Sequence, residues 1–253
     1  MYTIKKGGMI MKLSNMRAMN GFTLAEVLIT LGIIGVVAAM TMPTLINKTQ
    51  NKQLETAFKV AYSTFSQAVI NMREEEGPGL RKSYATYDSS IGKYPRADEF
   101  YEKFYKYSKL NIIGECNYTG SIMNYNRTEK AYTSYIGAGK EKLKDALSNG
   151  MCSNILINAG EINVSFDVNG TKGPNQLGHD IFYFYIDNND TLKPRKMSKL
   201  YSEEELEDED WPFNVGTPCS MQSKQQGNGV GCAGYALIDR NPDNPSKGYW
   251  ESL

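Results

Sequence analysis

From Val27 to Ile46 the chain has no charged residue, and from Phe22 onward the one exception is Glu26. At about 1.5 Å per residue, a helix over this run crosses a hydrocarbon core of roughly 30 Å. In lipid every backbone polar group needs a partner inside the segment, so helix is the expected form. Residues 1–21 hold Lys5, Lys6, Lys12 and Arg17 and no acid, which is the basic flank of a targeting segment and favours a cytoplasmic N-terminus. Met9, Met11 and Met16 are alternative starts that shorten this flank without changing its character. No second apolar run of spanning length follows, so the expectation is a single-pass anchor with everything after about residue 47 on the outer side.

Beyond Ile46 the helical period continues in a more polar form. Leu54, Phe58, Ala61, Phe65, Ala68, Val69 and Met72 recur three or four residues apart, which predicts an amphipathic helix. EEEGPG at 74–79 should stop it, since Gly and Pro break the pattern. One helix from Phe22 to about Glu75 is expected, roughly 80 Å long, with a bend or local loosening at Pro43. Residues 80–150 read as Tyr-, Gly- and Lys-rich loops with two short helices, near Ala97–Lys109 and Lys140–Ser148. From Asn154 the texture becomes β-branched and aromatic, in ILIN, INVSFDV and DIFYFYID, which predicts an antiparallel sheet of three or four strands. SEEELEDED at 202–210 reads as a solvated loop. The expected fold class is α+β, a long N-terminal helix packed by its second half on a small antiparallel sheet. The chain then divides into a leader (1–21), a membrane-spanning helix (22–46), its amphipathic continuation (47–76) and an outer α+β domain (77–253).

Lys plus Arg and Asp plus Glu both total 28, a balance with no electrostatic footprint for nucleic acid. Removing residues 1–21 leaves 24 basic against 28 acidic residues, a formal charge of −4. The four cysteines, Cys116, Cys152, Cys219 and Cys232, all follow the apolar run, and in an exported domain an even number predicts disulfides. Three connectivities exist, and closing short loops first pairs Cys219 with Cys232 and Cys116 with Cys152. No spacing is CxxC-like and the one histidine is His179, which disfavours zinc and thiol or serine catalysis. Beside Asp180, His179 reads as a surface residue. Trp211, Phe213, Tyr235 and Trp250 read as core rather than binding groove.

Residues 21–46, GFTLAEVLITLGIIGVVAAMTMPTLI, resemble the N-terminal signature of type IV prepilins and type II secretion pseudopilins. In that family a membrane-embedded prepilin peptidase cuts after the glycine and methylates the new N-terminus. The resemblance implies a cut between Gly21 and Phe22 and methylation of Phe22. It also implies assembly roles for Thr23, Glu26 and the helix-bending Pro43. Physical chemistry points the same way, because a carboxylate within a bilayer costs about 2.5 to 3.5 kcal/mol on insertion scales and wants a partner. In a filament Glu26 could neutralise the amine of a neighbouring Phe22. The competing reading is an ordinary signal anchor whose Glu26 sits at the interface.

DVNGTKGPNQLGHD, from Asp167 to Asp180, resembles segments of bacterial pseudopilin-like proteins and opens like an oxygen-rich calcium loop. Asp167, Asn169, Asn175 and Asp180 are the candidate calcium ligands. The pattern departs from an EF-hand at Thr171, Lys172 and Gly178, and a strand connection built on Asn and Gly turns explains it equally. The pair Cys219 and Cys232 resembles the disulfide that closes a C-terminal surface loop in many pilins, and a plain staple is the other reading.

The resemblance implies a structural subunit rather than an enzyme, with no certain cofactor. It anchors in the inner membrane with its globular domain outside and then enters a pilus or pseudopilus. Its implied partners are the prepilin peptidase, other pilin or pseudopilin subunits, an assembly ATPase, an inner-membrane platform protein and membrane lipid. The large outer part tilts the reading to a pseudopilin or minor pilin. The alternative from another class is a monomeric, membrane-anchored extracytoplasmic binding module, which needs the anchor but not the cut.

Overall fold

A computed structural model of the chain describes residues 22–131, 143–195, 218–225 and 227–253. The chain divides into two compact units, Met1–Ile46 and Asn47–Leu253.

In the first unit, helix α1 (Leu24–Glu76) begins at Leu24, two residues later than the apolar pattern predicts. Phe22 and Thr23 stay outside it, because Thr23 supplies the cap described below. The large apolar side chains here are exposed, among them Leu28, Ile33 and Val37. The hydroxyls Thr30 Oγ1, Thr41 Oγ1 and Thr44 Oγ1 donate to carbonyls of Glu26, Val37 and Thr41 at 2.8–2.9 Å, so their polarity is spent inside the helix. The helix runs through Pro43.

In the second unit α1 buries Leu54, Phe58, Ala61, Phe65, Ala68, Val69 and Met72 and ends at Glu76, where Gly77 takes φ 86°. Two further helices follow, α2 (Leu80–Tyr84) and α3 (Ala97–Ser108), the latter burying Phe100, Phe104 and Tyr105. Among the described residues six strands form one antiparallel meander in chain order: β1 (Ile112–Glu115), β2 (Asp145–Leu147), β3 (Cys152–Asn158), β4 (Glu161–Asp167), β5 (Ile181–Ile186) and β6 (Leu192–Pro194). Helix α4 (Cys232–Leu237) and a 3₁₀ turn at Trp250–Ser252 close the chain.

The sheet has six strands where three or four are expected, and part of the helix expected over Lys140–Ser148 is strand β2. Three residues, Asp-Ala-Leu, carry helix-compatible composition, but their backbone pairs with β1 and β3. Residues 140–142, the acidic stretch 202–210, Trp211 and Phe213 lie outside the described residues. Tyr235 packs against the core at its edge, and Trp250 is inside it.

The sheet is covered on both faces, which is why β5 reads as a near-continuous apolar run, whereas β4 alternates Ile162, Val164 and Phe166 with the buried polar residues Asn163, Ser165 and Asp167. One face packs Val164, Phe166, Phe182 and Phe184 against α1, α3 and Trp250. The other places Ile181 and Tyr183 against Tyr118, Ile122, Leu177 and Val230. Asp190, 2 % exposed in the β5–β6 turn, accepts the backbone N–H groups of Gly79 and Leu80 at 2.7 and 2.8 Å. It thereby caps α2 from 110 residues away.

Candidate functional site

The first turn of α1 is closed by a reciprocal pair of side-chain contacts. Glu26 Oε2 accepts the Thr23 N–H at 2.8 Å and the Thr23 hydroxyl at 2.8 Å. Thr23 Oγ1 in turn accepts the Glu26 N–H at 3.2 Å. This is a capping box, Thr at the cap and Glu three residues on, which satisfies two backbone donors that a helix start leaves unpaired. The same carboxylate complements the positive end of the helix dipole. Phe22, just outside the box, is 88 % exposed. The nearest cation along the helix is Lys48, so nothing on the first unit's own helix offers Glu26 a charge partner. Gly21 lies outside the described residues, and Pro43 is several turns away from the box.

Residues 16–42 match a protein family described as a prokaryotic N-terminal methylation motif. The chain has a prepilin-type N-terminus. No curated protein and no solved structure matches the chain. The motif supports a prepilin-like protein that is processed by the prepilin peptidase. The motif and a helix long and apolar enough to cross a membrane, with none of its apolar window buried, fit a membrane-anchored, single-pass protein.

A second constellation occupies the loop between β4 and β5, where Asp167, Asn169, Asn175 and Asp180 come together. Asp180 accepts the N–H groups of Asn175 and Gln176 at 2.8 and 2.7 Å. Asp167 accepts the Tyr118 hydroxyl at 2.9 Å and the Asn169 N–H at 3.2 Å. Both aspartates have 0 % exposure. Burial and the neighbouring Asp180 charge push the Asp167 carboxyl well above its ordinary range. Burial raises Asp180 to about 6 against the pull of its N–H donors. The Oδ1 atoms of Asn169 and Asn175 are buried without a hydrogen-bond partner. Among the described residues no three His, Cys, Asp or Glu side chains converge, so an ion here would lean on amide and carbonyl oxygens as well as the two acids. That donor set, hard and all oxygen, fits calcium rather than a softer metal.

His179 is not on the surface as its polar neighbours suggest. It is 6 % exposed, and its Nε2 accepts from the Arg127 guanidinium at 2.8 Å, which places its proton on Nδ1. Burial, with Arg127 adding to it, lowers its pKa to about 4, so the ring is neutral. The following turn is tightly packed. A Cβ at Gly178, whose φ is 74°, would meet Cys232 Sγ at 2.6 Å and Tyr125 at 2.8 Å. The disulfides join Cys116 to Cys152 and Cys219 to Cys232. The Cys219–Cys232 loop is organised by Asn228, whose side chain accepts from the Ser220 N–H and donates to the carbonyls of Ser220 and Ser223. Sequence reasoning missed Asn228, Asp190 and Arg127, each of which acts on a residue whose proximity only the tertiary fold creates.

Proposed function

We propose that this chain is a structural subunit of a type II secretion pseudopilus or type IV pilus, a pseudopilin or minor pilin, assembled through residues 22–46 after the cut between Gly21 and Phe22. The observation that carries this reading is the methylation motif over residues 16–42, which runs into a helix whose apolar part, up to Ile46, has one acid, Glu26, in the first turn. Phe22 is the methylated residue. An acid in lipid is costly unless matched, and the free amine of a neighbouring subunit is the match the filament supplies. The chain itself performs no catalysis. The peptidase supplies the cut, and an ATPase and an inner-membrane platform protein supply the work of extraction. Intact mass and N-terminal sequencing of the protein from membranes of a host carrying a prepilin peptidase are expected to give a chain beginning at N-methylated Phe22. An uncut leader supports instead the anchored, monomeric binding module.

Calcium at the β4–β5 loop is a second reading, favoured by the two orphaned Oδ1 atoms beside two buried acids. Asp167, Asn169, Asn175 and Asp180 would hold the ion, which would supply the positive charge this acidic loop wants. In chelator, the raised pKa values mean that the folded state holds its protons more tightly than the unfolded chain. That stabilisation is complete below the ordinary aspartate value of 3.8 and is lost as the pH rises through about 6 for Asp180 and through the raised pKa of Asp167. Melting of the full chain in detergent is therefore expected to occur roughly 5 °C lower at pH 7 than at pH 5. Saturating calcium at pH 7 is expected to raise the midpoint by roughly 5 to 10 °C. A pH dependence that calcium leaves untouched makes the loop a proton-sharing pair and removes the metal.

A further inference from the structure

Asparagine followed at the second place by serine or threonine is the acceptor pattern of N-glycosylation. It occurs in this chain at Asn47, Asn117, Asn126, Asn163, Asn169 and Asn189. Alternate residues of an extended segment share a side, so an enzyme that grips the acceptor stretched out also reads the residue two places before the asparagine. A carboxylate at that place offers a charge-assisted contact beside the amide and the hydroxyl. Glu115, Glu161, Asp167 and Asp187 supply one for Asn117, Asn163, Asn169 and Asn189, whereas Leu45 and Asn124 precede the other two. The fold then separates these four. Asn163 is buried in β4, where its Oδ1 accepts from Arg195 at 2.9 Å. Asp167, the acid before Asn169, is fully buried. Asp187, the acid before Asn189, is spent in the β5–β6 turn, where its Oδ1 accepts the N–H groups of Asn189 and Thr191, both at 2.9 Å. At Asn117 all three groups are open. Cys116 and Tyr118 are buried while Glu115, Asn117 and Thr119 are exposed, the alternation of an extended chain. The Cys116–Cys152 disulfide and the bond from the Tyr118 hydroxyl to Asp167 at 2.9 Å hold that alternation in place. The contact of Asn117 Nδ2 with the Glu115 carbonyl is 3.4 Å, long enough to give way to a better partner.

We propose that Asn117 is an N-glycosylation site, presented with Glu115 and Thr119 on one exposed side of an extended segment to an oligosaccharyltransferase whose donor is a lipid-diphosphate-linked oligosaccharide. In the transfer a bond forms between Asn117 Nδ2 and the anomeric carbon of the first sugar as that carbon's bond to the diphosphate oxygen breaks. The lipid diphosphate leaves with the electron pair, and the amide nitrogen gives up one proton. This inference rests on the single-pass reading that puts the second unit on the outer side of the membrane. A disulfide at the neighbouring Cys116 agrees with that placement, since such bonds persist in oxidising compartments. The sugar would stand at the end of β1, which among the described residues is an edge of the sheet and exposes Ile112 and Ile113. A bulky hydrophilic group there blunts an edge that otherwise invites pairing with another chain.

The test expresses the full chain in a host that carries a prepilin peptidase, a bacterial oligosaccharyltransferase and its lipid-linked donor, in cells where a reference exported acceptor is modified. Mass spectrometry of the protein and its peptides reads the glycan and its position. The wild type is expected to gain the mass of the donor oligosaccharide at Asn117, with Asn126, Asn163, Asn169 and Asn189 bare. Asn117→Gln should lose the glycan outright. Glu115→Gln and Thr119→Val should each lower its occupancy by about tenfold or more, the loss of one hydrogen bond to a charged group or of the hydroxyl handle. All three replaced side chains are exposed, so the variants keep the core intact. A second form of the wild type carries an added acceptor peptide after Leu253. Modification of that peptide with Asn117 bare would overturn the proposal, as would a glycan on Asn163, Asn169 or Asn189 in its place, or a Glu115→Gln protein modified as fully as wild type. If the added peptide stays bare as well, it is the outer placement of the second unit that fails, and the proposal falls with it.

Discussion

If the chain is cut and assembled as proposed, replacing Glu26 with valine is expected to leave the cut after Gly21 unaffected, keep the protein in the membrane and remove it from filaments. Three effects combine to give that pattern. Valine is more apolar than glutamate, so anchoring does not suffer; insertion into the core becomes easier by about 2.5 to 3.5 kcal/mol. The Thr23 hydroxyl, which donates to Glu26 Oε2 at 2.8 Å, loses its acceptor but sits at a helix end where polar groups are still tolerated. In a filament, however, the amine of the neighbouring Phe22 would be buried beside valine with no counter-charge. Leaving one half of a buried pair unmatched costs about 3 to 5 kcal/mol, a loss of a hundredfold or more in incorporation. Fractionation into membrane and sheared filament measures it directly. Glu26→Gln keeps an acceptor for Thr23 but not the charge, so it should resemble valine in assembly. A Glu26→Val protein that assembles normally removes the charge-matching argument and leaves the anchored module as the better reading.

How much of this was legible in the sequence depends on the range over which each feature is determined. Glu26 stands out because it interrupts an uncharged run, and its partner Thr23 is three residues away, within the reach of a motif. The strands β3, β4 and β5 are six or seven residues long and rich in β-branched and aromatic side chains, enough to read directly. Strands β1, β2 and β6 have three or four residues each, too few to show a period. Their state is imposed by the neighbouring strand, as with Asp145 and Ala146, which pair with Ser153 and Cys152. Local propensity favours helix there, and tertiary pairing overrides it. The burial of His179 depends on Arg127, 52 residues earlier in the chain, and no local pattern encodes that contact. The buried acids of the β4–β5 loop lie between these cases. Asp-x-Asn-Gly announces a turn with oxygen atoms in it, but whether those oxygens face solvent or each other is decided by Tyr118 and by the strands on either side.

The second unit rests on one aromatic cluster, and Phe58→Ala is the substitution expected to damage it most. Phe58 is fully buried on α1, and its ring lies 4.3 Å from Phe182 and 5.3 Å from Trp250, with Phe184 and Phe166 at 6.2 and 6.3 Å between centroids. It is the point where the helix, strands β4 and β5 and the C-terminal turn meet. Truncation removes apolar burial and leaves a cavity that flat, mutually packed rings cannot easily refill, a cost of about 3 to 5 kcal/mol. Lost ring–ring geometry adds to this at about 0.5 to 1.5 kcal/mol per pair. Against a usual total of about 5 to 15 kcal/mol, that is a third or more of the stability of the unit. The measurement is denaturant unfolding of the full chain in detergent, followed by near-ultraviolet circular dichroism, which reports the packed aromatics rather than helix content. Val60, two residues on and 56 % exposed, is the control, and Val60→Ala should stay within about 0.5 kcal/mol of wild type. A Phe58→Ala loss no larger than that of Val60→Ala would mean that α1 is not seated on the sheet through this ring, because a side chain with four aromatic neighbours cannot be removed from a packed core without leaving them short of contacts.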